Sequence, residues 1–151
     1  MTVEAEIETR IGRPPTVVFE ALTDVERYPQ WLIASGIVRV ERLDAGPLAV
    51  GSRLQIAQTV AGRSTVLDGS VTAITPGSAF GLRGKDKDGV TIEIDAALTP
   101  DGQTTSLRWS LRLKLPLRFR VFESMVGPQA KRAAALDLEA LKQRLESVVS
   151  G

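Results

Sequence analysis

Few side chains in this 151-residue chain suit acid–base chemistry. It contains no His and no Cys, which excludes the usual general base at neutral pH, thiolate metal sites and Cys nucleophiles. Proton transfer would fall to carboxylates, Lys or the single Tyr28. Asp68 is the weak catalytic candidate, because a desolvated carboxylate has a raised pKa, although most such residues lie on a solvated face.

No cofactor and no metal site are predicted. Asp86, Asp88 and Gly89 resemble a calcium loop, but the full twelve-residue ligand pattern is absent. We interpret this segment as a hairpin turn.

Two further side chains have both a functional and a structural interpretation. Gln58 follows Leu54 and Ile56 on a predicted inner strand face, where its amide would need a hydrogen bond, for example from a ligand. It would otherwise lie in water at a strand end beside a turn. Trp31 either packs the short helices onto a sheet or gates a cavity mouth.

Charge and hydropathy restrict the partners. A net charge of +1 argues against a nucleic-acid footprint. Arg112, Lys114, Arg118 and Arg120 alternate with apolar residues, which suggests either a basic edge for anionic lipid or a strand passing into an amphipathic helix. No apolar run approaches a membrane span, and the N-terminus is acidic, unlike a signal peptide. We therefore expect a cytoplasmic protein without stable membrane insertion, either monomer or dimer.

The longest predicted element is a C-terminal helix over Leu117–Val149. Apolar residues recur there every three or four positions, at Phe119, Phe122, Val126, Ala130, Ala134, Leu138, Leu141, Leu145 and Val148. Gly127-Pro128 predicts a kink or a short break that separates a lead-in segment from the main helix. At 1.5 Å per residue, such a helix crosses a whole small domain, and other elements must cover its apolar stripe.

Period-2 patterns predict seven strands. The first spans Val3–Ile11, and the others lie near Ile37–Leu43, Arg53–Val60, Thr65–Ile74, Ala79–Arg83, Val90–Leu98 and Thr104–Lys114. Short turns join the last six, so hairpins and an antiparallel sheet are expected. The face of Asp68 is left open, because a bulge in Thr65–Ile74 would switch its two faces midway.

Two short helices are expected after the first strand. One begins at Pro15 and covers Pro15–Leu22, since proline suits a first helical turn. The next begins with a capping box in which Thr23 is the N-cap and Glu26 reaches back to it, and it ends near Tyr28, because Pro29 discourages continuation. The chain is therefore predicted to be a single α+β domain over residues 1–151.

Three segments resemble the START-related (SRPBCC) superfamily, in its polyketide cyclase/dehydrase and lipid-transport branch. They are the proline-led first helix at Pro15, the segment from Asp24 to Trp31 with its Asp-x-x-x-Tyr-Pro-x-Trp spacing, and the C-terminal Leu-x-x-Leu-Lys motif that begins at Leu138. The resemblance covers essentially the full chain and implies a helix-grip fold, a seven-stranded curved antiparallel sheet around the long C-terminal helix. Members of this family include hydrophobic-ligand carriers and aromatic polyketide cyclases.

Three functions follow as hypotheses. The first is binding, with transport as an extension, of a hydrophobic small molecule or lipid between sheet and helix. The expected lining is Trp31, Leu54, Ile56, Gln58, Phe80, Leu82, Ile92, Ile94, Trp109, Leu111, Phe122 and Met125. The second is a cofactor-independent cyclase or dehydratase, for which no clear acid–base pair is available. The third is an interaction module with a filled interior, against which Ala130, Ala133 and Ala134 count.

Overall fold

The sheet of the computed structural model, which describes residues 2–60 and 62–147, contains all seven predicted strands. They are β1 (Thr2–Ile11), β2 (Ile37–Arg42), β3 (Arg53–Val60), β4 (Arg63–Thr75), β5 (Ala79–Lys85), β6 (Thr91–Asp101) and β7 (Thr104–Lys114). Their order is β1-β7-β6-β5-β4-β3-β2, and every neighbouring pair is antiparallel. The predicted α+β helix-grip fold is confirmed.

A register shift in β4 decides which of its residues face inward. The pairing of β4 with β5 slips between Val71 and Ala73, as expected for a bulge. Val71 is buried in the core, and Ile74, three residues later, also packs against it. Before the shift, Leu67 and Val71 face inward, so Asp68 lies on the outer face and is exposed.

The two short helices after β1 differ in type. The first, α1 (Pro15–Thr23), begins at a proline as predicted. The second is a 3-10 helix over Val25–Gln30 with Pro29 inside it. The predicted capping box is wrong. Thr23 is the last residue of α1, and its hydroxyl donates to the Phe19 carbonyl at 3.0 Å, a back-bond that Thr commonly makes within a helix.

The C-terminal helix also begins differently from the prediction. A 3-10 segment over Leu117–Phe122 leads into α2 (Glu123–Ser147), and Pro128 lies inside α2. The change of helix type therefore falls after Phe122, and the alternative of a short break at Gly127-Pro128 is wrong, because α2 is continuous there. Pro128 is in the second turn, where its missing N–H removes a single bond to the first turn. The predicted end at Val148 and Val149 lies outside the described residues.

The core lies between the sheet and the helices. Ala134, Leu138 and Leu141 of α2 are buried with Ile11, Leu107 and other sheet residues. The predicted apolar stripe is thus inward along most of α2. The 3-10 segment before α2 is an exception, since Phe122 is 53% exposed.

Candidate functional site

A cavity of about 240 Å³ lies between the sheet and the first half of α2. Seven residues of the predicted lining are in its wall: Ile56, Gln58, Leu82, Ile92, Ile94, Trp109 and Leu111. They come from four strands, β3, β5, β6 and β7, because inward residues alternate along each strand and neighbouring strands are in register. The wall they form is almost entirely apolar.

Five residues of the predicted lining lie elsewhere. Trp31, Leu54 and Phe80 are each at most 3% exposed and belong to the packed core. Phe122 and Met125 are 53% and 65% exposed at the start of the helical segment. The structure does not bring these five into the cavity wall, because period-2 and period-3.6 patterns give a face of an element and not the distance of each residue from a cavity.

Sequence patterns missed a second set of wall residues. Val126, Ala130, Ala133 and Ala134 come from α2, and Leu32, Ile37, Val60, Leu67 and Leu113 come from the loop before β2 and from strands. The small side chains of α2 had counted against a filled interior without being assigned to the wall, and alanines at helical spacing opposite large strand residues leave space between the two elements.

An aromatic row borders this cavity. The ring of Trp31 contacts Tyr28 at 5.3 Å and Trp109 at 5.8 Å between centroids, and both contacts are T-shaped. The Tyr28 hydroxyl donates to the Leu22 carbonyl. Burial, with a smaller contribution from Asp24, raises the pKa of Tyr28, so this phenol keeps its proton. Trp31 packs the 3-10 helix onto the sheet and is not at an opening.

The loop formed by residues 31–36 covers one side of the cavity and is held from two directions. Asp137 of α2 accepts the Ala34 N–H at 2.7 Å and the Ser35 N–H at 2.9 Å. Gly36 has a positive φ of 78°, and a Cβ at this position would overlap the Thr59 carbonyl oxygen. The Thr59 N–H of β3 donates to the Gly36 carbonyl at 2.8 Å, so the loop is anchored both to the helix and to β3.

Asp137 was not among the predicted site residues. It is 2% exposed, and burial raises its pKa, while hydrogen bonds from the Ser35 hydroxyl and from the Ala34 and Ser35 amides act in the opposite direction. The available signal was its spacing. It lies three residues after Ala134 and four before Leu141, so a carboxylate occupies the apolar stripe and needs hydrogen-bond donors there.

Gln58 points its amide at the same loop. Its Nε2 donates to the Ser35 carbonyl at 2.9 Å, and the half-buried side chain lines the cavity. Of the two interpretations of Gln58, the structure places it in the cavity wall rather than in a strand end turned to water.

Asp68 is separated from this cavity by the sheet. It lies on the outer face, opposite Gln55 of β3 and Lys85 of β5, in an external depression that Lys87 also lines. The structure therefore contradicts the placement on which an acid–base role for Asp68 depended.

The basic edge is largely ion-paired. Arg112 contacts Glu4 at 3.1 Å, and Lys114 contacts Glu93 at 3.8 Å. Arg118 pairs with Asp88 and lies over the Phe119 ring. The side chain of Arg120 lies outside the described part of the chain. Among residues 2–60 and 62–147, no group of three or more acidic, His or Cys side chains is arranged to hold a metal ion.

A model of the family described as polyketide cyclase/dehydrase and lipid transport matches residues 2–146. The chain belongs to this family. No curated protein sequence matches the chain. Family and fold together support a ligand-binding or polyketide-cyclase-like role.

Solved structures show the same fold at low sequence identity. The Zhui aromatase/cyclase from Streptomyces sp. R1128 has a TM-score of 0.79 and 16% identity, with 99% of this chain and 96% of that chain covered. The protein TTHA0849 from Thermus thermophilus has a TM-score of 0.78 and 16% identity, covering 96% and 98%. A START superfamily protein from Mycobacterium smegmatis has a TM-score of 0.71 and 21% identity, covering 97% and 99%.

No helix in the described part of this chain has both the length and the apolar character that a membrane span requires.

Proposed function

We propose that this protein binds an apolar small molecule in the cavity between the sheet and α2. The observation that carries the proposal is the wall itself, in which Ile56, Ile94 and Leu111 face Ala130 and Ala133 across about 240 Å³ of space. An engineered apolar cavity of roughly 150 Å³ in another protein stays dry and binds benzene. A guest here would gain about 25 cal/mol for each Å² of apolar surface removed from water, before the costs of binding.

The wall supports binding over the two other functions. A filled interior would need bulky side chains where α2 presents alanines. A cyclase would need an acid or base at the wall. The Tyr28 proton is already donated to a carbonyl, and Asp68 lies on the other face of the sheet. No specific observation favours the cyclase function, so binding is the single function proposed.

Filling the cavity from the helix side tests the proposal. Ala133→Phe places a ring in the space, and we expect it to weaken naphthalene binding by at least about tenfold, or ~1.4 kcal/mol. Equilibrium dialysis with naphthalene measures this directly, and native mass spectrometry of the purified wild type looks for a co-purified guest.

The matched control is Ala135→Phe. Ala135 is exposed, two residues along the same helix and on its opposite side, so the same substitution should leave naphthalene binding unchanged. Because overpacking costs typically 1–3 kcal/mol, Ala130→Phe provides a second filling variant one turn earlier. Absence of saturable naphthalene binding to the wild type, or equal binding by all variants, would contradict the proposal.

A further inference from the structure

The orientation of the Gln58 amide is fixed by its neighbour. The Ser35 carbonyl oxygen can only accept a hydrogen bond, so the end of the amide facing it at 2.9 Å must be Nε2. Both N–H groups of Gln58 belong to that nitrogen, which faces the loop. Oε1 is then the other end of an amide that lines the cavity, and it accepts no hydrogen bond from any described residue.

The other two hydroxyl groups of the wall lie beside acceptors. The Tyr28 hydroxyl donates to the Leu22 carbonyl, and the Ser35 side chain lies near the Asp137 carboxylate, whose pKa it acts to lower. The remaining polar lining residues point to solvent, since Gln129 is exposed and the Arg83 guanidinium lies 3.8 Å from Glu93 outside the cavity. The unsatisfied polar atom that the apolar wall offers is therefore an acceptor.

We propose that the ligand is an uncharged apolar molecule with a hydroxyl or N–H donor, which hydrogen-bonds to Oε1 of Gln58. This inference rests on the proposed function and names the ligand class for the same site. Because Oε1 has no partner among the described residues, a guest that covers it without donating would remove its water and put no hydrogen bond in its place.

Anionic guests are disfavoured by the same arrangement. A carboxylate would place its charge against a carbonyl oxygen, and the buried carboxylate of Asp137 lies directly behind Ser35. No guanidinium or ammonium group points into the described cavity wall to offset this repulsion. Ketones and ethers lack the donor. Phenols and alcohols of suitable size satisfy every condition.

A pair of nearly isosteric probes tests the role of the donor. Wild type should bind 1-naphthol more tightly than 1-methylnaphthalene. Gln58→Leu should reduce this ratio of dissociation constants by roughly three- to tenfold, the usual range for one hydrogen bond. 1-Methoxynaphthalene keeps the oxygen but has no donor. Gln58→Leu should therefore weaken its binding no more than it weakens binding of 1-methylnaphthalene. Equilibrium dialysis gives all three dissociation constants.

The matched control is Gln55→Leu, a half-buried glutamine on the outer face of the same strand, which should leave the preference unchanged. Gln58→Met replaces Gln58→Leu if the latter does not fold, and binding of 1-methylnaphthalene reports that the cavity is intact. An unchanged preference in the folded Gln58 variant would overturn the donor requirement. Failure of every probe to bind wild type would overturn the proposed function instead.

Discussion

Trp109→Ala is expected to lower the free energy of unfolding by about 3–5 kcal/mol, the usual cost of truncating a large buried aromatic. Trp109 is 3% exposed, contacts Trp31 ring to edge at 5.8 Å and borders a cavity that already contains unfilled space. The truncation would extend that space, since neighbouring strands held by hydrogen bonds cannot collapse into it. Urea titration monitored by circular dichroism measures the change.

The adjacent residue supplies the control for this measurement. Arg108 is on the outer face of β7 and pairs with Glu6 at 3.0 Å and Glu8 at 3.2 Å. Its side chain is more than half exposed, so Arg108→Ala should cost no more than about 1 kcal/mol. A loss of unfolding free energy below about 1 kcal/mol for Trp109→Ala would contradict the stabilisation that we assign to burial of this ring.

Asp137→Ala is expected to lower the free energy of unfolding by roughly 1–3 kcal/mol. The substitution removes the acceptor of the Ala34 and Ser35 amides, so the loop of residues 31–36 loses its bonds to α2. Glu139→Ala, at an exposed position on the same helix, should stay within about 0.5 kcal/mol. Equal effects of the two substitutions would mean that Asp137 does not hold the loop.

The contribution of the Asp137 carboxylate to the free energy of unfolding changes with pH in a defined direction. Because burial raises the pKa of Asp137, folding favours its protonated form. Its contribution to stability is therefore largest below the ordinary Asp pKa of about 3.9 and falls as the pH rises through the raised value. Asp137→Asn does not titrate, so the stability difference, wild type minus Asp137→Asn, should decrease with rising pH over this acidic range. A difference that grows with pH would reverse the assigned direction.

Local patterns determined most of the fold. Alternation in the strands and short turns between them predicted seven antiparallel strands, because each signal depends only on neighbouring residues. The errors in the helices are also local. Thr23 fits both a cap and a helix end, and Pro128 removes one backbone bond without ending the helix around it. The family segments around Tyr28 and Leu138 added the order of the elements.

What the sequence by itself determined is the fold, the family and a cavity wall that is mainly apolar. Only the tertiary structure decided which inward residues reach the cavity, placing Ile56 and Leu111 in the wall and Leu54 and Phe80 in the core. It alone also joined Asp137, Ser35 and Gln58, which are far apart in the chain. The physical reason is that periodicity reports the face of one element, whereas a cavity and its hydrogen bonds depend on distances between elements.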